Sequence, residues 1–147
     1  MKTCNDVMTS NPICCLPTDN VITVAQTMKR ENIGSMPVFD NQESKKLIGI
    51  ITDRDLAMKV VGEGRDIEAT KVEAVMTRKV ITCREDDELQ RALKLMSEHQ
   101  LRRIVIVDNV NKVVGIISQA DLATRMNQPE KTAEVVKDIS QESTDQE

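Results

Sequence analysis

The strongest constraint on this chain is that it carries one pattern twice. Val7-Met8-Thr9 recurs 68 residues on as Val75-Met76-Thr77, and Ile13, Cys15, Met28 and Asp40 meet Ile81, Cys83, Met96 and Asp108 at the same offset. Past the polar stretch 41–46 the offset becomes 66, so that Gly49-Ile50-Ile51 meets Gly115-Ile116-Ile117 and Asp55-Leu56-Ala57 meets Asp121-Leu122-Ala123. Over 7–40 and 47–57 this gives 14 identities in 45 aligned positions, in one unbroken order. Accident can mimic a tripeptide but not such a series, so the chain is an internal duplication. The change of offset falls where a surface turn absorbs an insertion.

Each copy has the same grammar. A short strand-like run comes first, at 12–15 or 80–83. A helix follows. In the first copy Thr18 is positioned to cap it, with Val21, Val24, Ala25 and Met28 at helical spacing. In the second, the acidic cluster 85–88 stands where a helix N-terminus favours negative charge, ahead of Leu89, Ala92, Leu93 and Met96. Two strands around a turn come next, 36–40 with 47–51 and 104–108 with 113–117, and a second helix closes each copy at 53–61 or 119–126. Gly62 is the expected stop of the first of these. The unit is β-α-β-β-α, and its strands 104–107 and 113–117 are apolar on both faces, as in a covered sheet.

The expected fold class is therefore α+β, with two β-α-β-β-α repeats in pseudo-two-fold relation, packed sheet against sheet. One repeat of about 55 residues is marginal alone, so a joint core is expected. The boundaries read as 1–61 for the first repeat with its N-terminal arm and 62–74 for a polar, glycine-containing linker. The second repeat is read at 75–128, and 129–147 as a C-terminal helix (132–139) with a polar tail.

Composition then narrows function. Of 147 residues none is Trp or Tyr and Phe39 is the one Phe. The core must be aliphatic, with methionines filling gaps. Aromatic stacking platforms for single-stranded nucleic acid, and aromatic cages for cations, cannot be built. A net charge of −4 argues against a general nucleic-acid or anionic-membrane surface. The N-terminus has no apolar signal-like core and no run approaches a membrane span, so a cytoplasmic location is expected. Cys4, Cys14, Cys15 and Cys83 fit no zinc spacing and form no CxxC, and read as reduced thiols packed as small hydrophobes.

The place for chemistry is the strand-to-helix junction, present twice as Gly49-Ile50-Ile51-Thr52-Asp53-Arg54-Asp55 and Gly115-Ile116-Ile117-Ser118-Gln119-Ala120-Asp121. Hydroxyl-x-x-carboxylate is a capping-box signature. The same spacing also suits a ligand. Helix-terminal amides and a hydroxyl bind phosphate, and an Asp one turn on accepts two hydrogen bonds from a ribose diol. A capping box prefers Glu or Gln at its third position, so the shorter Asp in both copies tilts the reading toward ligand binding.

The two units, each ending in Gly-Ile-Ile-(Thr/Ser)-x-x-Asp-Leu-Ala, resemble a tandem cystathionine-β-synthase (CBS) domain pair, or Bateman module, over about 7–126. With no further domain attached, the chain is similar to the stand-alone bacterial CBS-pair proteins. The resemblance implies binding of AMP, ADP, ATP or S-adenosylmethionine in clefts between the repeats. It implies a ribose role for Asp55 and Asp121, and a role beside ribose and phosphate for Thr52 and Ser118. Thr9 and Thr77 match the Thr entering the first strand. Ile13 and Cys14, with Ile81 and Thr82, match positions flanking the base, and Met36 and Pro37, with Ile104 and Val105, match its other side. Arg103, with Arg102 and His99 nearby, matches a phosphate-reaching basic position. The copies differ there: Arg102 and Arg103 align with Gly34 and Ser35, Arg54 aligns with Ala120, and the Pro of the first copy is Val105 in the second.

The expected function is a regulatory module that senses adenine nucleotides, not an enzyme. It needs no cofactor or metal, forms a homodimer and acts on an effector protein. Alternatives are an S-adenosylmethionine site, a ligand-free interaction module whose junctions are only caps, and a metal or redox sensor built on the cysteines. An enzyme would need a general base, and the junctions offer none beyond Asp55 and Asp121. His99, the one histidine, joins no nucleophilic set.

Overall fold

The computed structural model describes residues 1–125. The expected helix at 132–139, the polar tail and the end of the second repeat lie outside the described residues. In chain order the elements are α1 (Cys4–Val7), β1 (Thr9–Ser10), α2 (Val21–Glu31), β2 (Ser35–Phe39), β3 (Leu47–Thr52) and α3 (Asp53–Asp55). The last continues directly into a π-helical segment, Leu56–Val61. Then come α4 (Val72–Val75), β4 (Thr82–Arg84), α5 (Leu89–His99), β5 (Arg103–Val107), β6 (Val113–Ser118) and α6 (Gln119–Arg125). The β-α-β-β-α order is present twice, with mixed sheets.

The chain forms two compact units that do not follow the order of the copies. One contains Met1–Asn11 together with Ile81–Val110 and, of the described residues beyond, 114–125. Its sheet runs β1-β6-β5-β4, with β1 antiparallel to β6 and β4 parallel to β5. The other contains Pro12–Val80 with Asn111–Val113. There β2 and β3 are antiparallel, flanked by a parallel bridge from Cys15 to Val38 and an antiparallel bridge from Thr77 to Ile50.

The arm that precedes each copy thus packs on the body of the other. Cys4, Val7 and Met8 enter the core of Leu93, Met96, Ile104 and Ile117. Val72, Val75 and Met76 enter the core of Val24, Met28, Val38 and Ile51. Backbone bonds repeat the exchange: Cys4 N–H donates to Asp87 C=O and Leu89 N–H to Lys2 C=O, as Val72 N–H does to Asp19 C=O and Val21 N–H to Thr70 C=O. The stretch 62–74 is not simply a polar spacer, because its last residues are this second arm.

One local expectation is corrected and two are refined. Asn20, not Thr18, caps α2, its side-chain oxygen accepting from Ile22 N–H at 2.7 Å. The Asn20 amide also donates to Glu68 C=O at 2.9 Å, so the incoming arm selects the cap. The 85–88 cluster does stand at the N-terminus of α5, with Glu88 as its N-cap, but the Glu88 side chain makes no capping bond; the Asp87 carboxylate accepts Arg84 N–H and closes the preceding turn. Gly62 does end its helix, but in right-handed conformation. It is needed for space, since a Cβ there would lie 2.6 Å from Met58 C=O, while its N–H closes a five-residue π-type bond to Ala57 C=O.

Candidate functional site

Both strand-to-helix junctions close as capping boxes. Thr52 takes extended backbone geometry as the N-cap of α3. Its hydroxyl accepts Asp55 N–H at 3.1 Å, and the Asp55 carboxylate accepts Thr52 N–H at 3.0 Å. Ser118 and Asp121 repeat this at 3.3 and 2.9 Å, and the Ser118 hydroxyl donates to the same carboxylate at 3.1 Å. The shorter Asp thus closes the box as Glu or Gln would, and its length no longer tilts the reading toward a ligand. The extended N-cap brings its own N–H within reach of a two-carbon side chain.

Each carboxylate has a second partner from the arm. Thr77 Oγ1 donates to Asp55 Oδ1 at 3.2 Å, and Thr9 Oγ1 donates to Asp121 Oδ1 at 3.0 Å. Chain order would group Thr9 with Asp55; the exchange of arms crosses them. Glycine permits this approach. A Cβ on Gly49 would sit 3.0 Å from Thr77 C=O, and one on Gly115 3.1 Å from Thr9 C=O, each overlapping a methionine sulfur as well. Both carboxylates are buried, Asp55 at 7% and Asp121 at 9% exposure.

Within each unit, then, one carboxylate accepts a hydroxyl from the arm and a backbone N–H from the junction: Thr77 Oγ1 and Thr52 N–H at Asp55, Thr9 Oγ1 and Ser118 N–H at Asp121, where the Ser118 hydroxyl joins as well. The other candidates lie on the adjoining strands. Met36 and Pro37 are buried in β2 opposite Ile51 and Ile50. Ile104 and Val105 are buried in β5, where Thr82 of β4 pairs with Val105. Cys14 and Ile81 are half-buried, Ile13 is exposed, and Cys15 N–H donates to Pro37 C=O. Arg54 and Arg102 are exposed and Arg103 is half-buried. The backbone beside the junctions is equivalent: Asp53 N–H donates to Gly34 C=O as Gln119 N–H does to Arg102 C=O.

Sequence reasoning missed Lys59. Its ammonium is 3.0 Å from Asp55 Oδ1 and 3.1 Å from Val75 C=O. The signal was present as the Asp-x-x-x-Lys spacing of a helical ion pair, with Arg125 at the matching place after Asp121.

Cys4, Cys15 and Cys83 belong to the cores, and Cys14 is half-buried. Cys4 and Cys83 share a hydrogen bond; it pushes Cys4 up, together with burial, and lowers Cys83. Burial pushes Cys14 up to about 11 and Cys15 up to about 12. Cys14 and Cys15 therefore lack the lowered pKa of reactive cysteines. Among the described residues, no group of three His, Cys, Asp or Glu side chains is placed to hold a metal ion, and no helix is long and apolar enough to cross a membrane.

Comparison with known proteins follows the same lines. A family profile described as CBS domain matches residues 4–62 and again 72–127. The uncharacterized protein YlbB of Bacillus subtilis is 35% identical over 141 residues, covering 96% of this chain and 93% of its own. The CBS domain-containing protein YhcV of the same organism is 34% identical over 143 residues, covering 97% and 99%. Among solved structures, the CBS domain pair of protein MJ0100, in complex with 5′-methylthioadenosine and S-adenosyl-L-methionine, superposes with a TM-score of 0.74 at 29% identity, over 84% of this chain and 94% of that one. Hypoxic Response Protein I, with two coordinated zinc ions, gives 0.76 at 26% identity, over 85% and 99%.

Proposed function

The chain belongs to the CBS-domain family as a tandem pair, and from that premise we propose that it is a regulatory module binding adenosine-containing ligands at its two junctions. The observation that carries this reading is repeated in both units: a buried carboxylate beside a helix start accepts a threonine hydroxyl from the arm and a backbone N–H from the junction. An ionised carboxylate has about four acceptor positions. A ribose diol supplies two donors, and would engage Asp55 by exchange with the Thr77 hydroxyl. The Thr52 and Ser118 hydroxyls stand beside the 5′ side of such a ribose. Aliphatic side chains of β2 and β5, among them Met36 and Ile104, would flank the base, since the chain has no Trp or Tyr to stack on it.

Support for an adenosine ligand also comes from MJ0100, whose pair holds two such molecules. AMP, ADP or ATP is the class this reading favours, because Arg102, Arg103 and Arg54 supply cations near the junctions; S-adenosylmethionine is the second reading, favoured by that same relative. Regulation would follow from differential binding: a ligand that holds the arm's threonine and the junction carboxylate in one arrangement biases the surface an effector protein meets. The module is proposed to act as a homodimer and without catalysis.

Titration calorimetry with adenosine, AMP, ATP and S-adenosylmethionine tests the reading. Asp55→Ala and Asp121→Ala should each remove one binding event, and the double variant both. Affinity unchanged in the double variant refutes the assignment.

A further inference from the structure

The Lys59 ammonium holds three parts of one unit together. It pairs with Asp55 at 3.0 Å, it rises from the π-helical segment, and it donates to the carbonyl of Val75, the last residue of the arm helix that delivers Thr77. The carboxylate of this pair is 10% exposed and the ammonium 40%. The pair therefore sits at the edge of the unit, with the cation on the solvent side.

The consequence is one of charge. A little-exposed carboxylate repels any anion brought beside it. Two like charges several ångström apart, at an effective dielectric constant of about 20, weaken binding roughly ten- to a hundredfold. A neutral nucleoside meets no such penalty. With Lys59 in place the pair is neutral as a whole, and the site no longer distinguishes against phosphate.

We infer that Lys59 is the positioning residue that sets the charge class of the ligand at the Asp55 junction, admitting adenosine ligands with an anionic 5′ group. It acts through Asp55, by neutralising and orienting the carboxylate. Its tie to Val75 keeps the ammonium at the carboxylate rather than in solvent. Lys59 lies in the π-helical segment, and such segments recur at functional positions. The inference rests on the proposed adenosine site and deepens it.

The test uses the full chain carrying Asp121→Ala, so that the Asp55 junction alone reports. Calorimetry with adenosine, AMP and ATP is compared among this protein, its Lys59→Gln form and its Lys59→Arg form. The expected result is a tenfold or greater loss of AMP and ATP affinity in Lys59→Gln, a change of less than threefold for adenosine, and recovery in Lys59→Arg. Equal loss for all three ligands means that Lys59 only holds the fold, and overturns the inference. So does an unchanged ratio of AMP to adenosine affinity. Binding by the unsubstituted chain but not by Asp121→Ala also overturns it, while leaving an adenosine site at the other junction. Binding of none of the three by the unsubstituted chain sinks the nucleotide reading itself. Melting curves of each variant separate loss of fold from loss of selectivity.

Discussion

The Thr9 hydroxyl donates to Asp121 at 3.0 Å although 112 residues of chain separate them. Thr77 and Asp55 repeat the contact at 3.2 Å over 22 residues. Hydrogen bonds to charged groups contribute about 1.5–3 kcal/mol when well buried, and these are only partly so. Thr9→Val and Thr77→Val should each cost about 1 kcal/mol in urea denaturation. No change in midpoint for either would remove the threonines from the account of stability.

The exchange of arms gives a regional prediction. Val7 and Val75 are fully buried, at 0% and 1% exposure, each in the core of the body it visits. Val→Ala there should cost about 2 kcal/mol, between the costs of Ile→Val and Leu→Ala truncations. Hydrogen exchange locates the damage. Val7→Ala should weaken protection in α5, and Val75→Ala in α2. The reverse pattern would mean that each arm serves its own copy.

Two glycines are fixed by space. Ala at 115 would press its Cβ into Met8 Sδ and 3.1 Å from Thr9 C=O; Ala at 49 would lie 2.8 Å from Met76 Sδ and 3.0 Å from Thr77 C=O. Overpacking of this kind costs about 1–3 kcal/mol. Met8→Ala with Gly115→Ala should be less costly than the two added together, since one clash is then removed. Strict additivity would show that the sulfur was never the obstacle.

The thiols predict an alkaline limit. Cys15, 4% exposed, has its pKa pushed up to about 12 by burial. Its neutral form is favoured by the fold, so this contribution is complete below the unfolded thiol value near 9 and is lost as pH rises toward 12. In that window stability should fall by about 1.4 kcal/mol per pH unit per thiol. Denaturant midpoints of Cys15→Ala, followed from pH 9 to 11, should slope less steeply than those of the unsubstituted chain. Parallel slopes would assign the alkaline loss to other groups.

Much of this architecture is legible from residues alone. The repeat, the strand pairs and the Thr52–Asp55 and Ser118–Asp121 spacing are local patterns, written in periodicity and short motifs. What the sequence leaves unwritten is set at a distance. Nothing near Thr9 points to Asp121, because the link depends on where the arm lands. The choice of Asn20 over Thr18 as cap follows from Glu68 C=O, which the second arm brings to it. Lys59 shows the mixed case: its spacing from Asp55 is visible, yet its bond to Val75 is not.

The exchanged arms also say where the chain can be cut. A fragment ending at residue 61 would carry an arm meant for elsewhere and lack its own. Pro12–Val80 is different, for it holds one body and its visiting arm in a single stretch, to which the unit adds only Asn111–Val113. The other unit is discontinuous, and would become one stretch only if Met1–Asn11 were rejoined beyond α6. The gene's visible period and the protein's foldable period are therefore out of phase by the length of one arm, and a duplication of this kind keeps its two halves in one molecule.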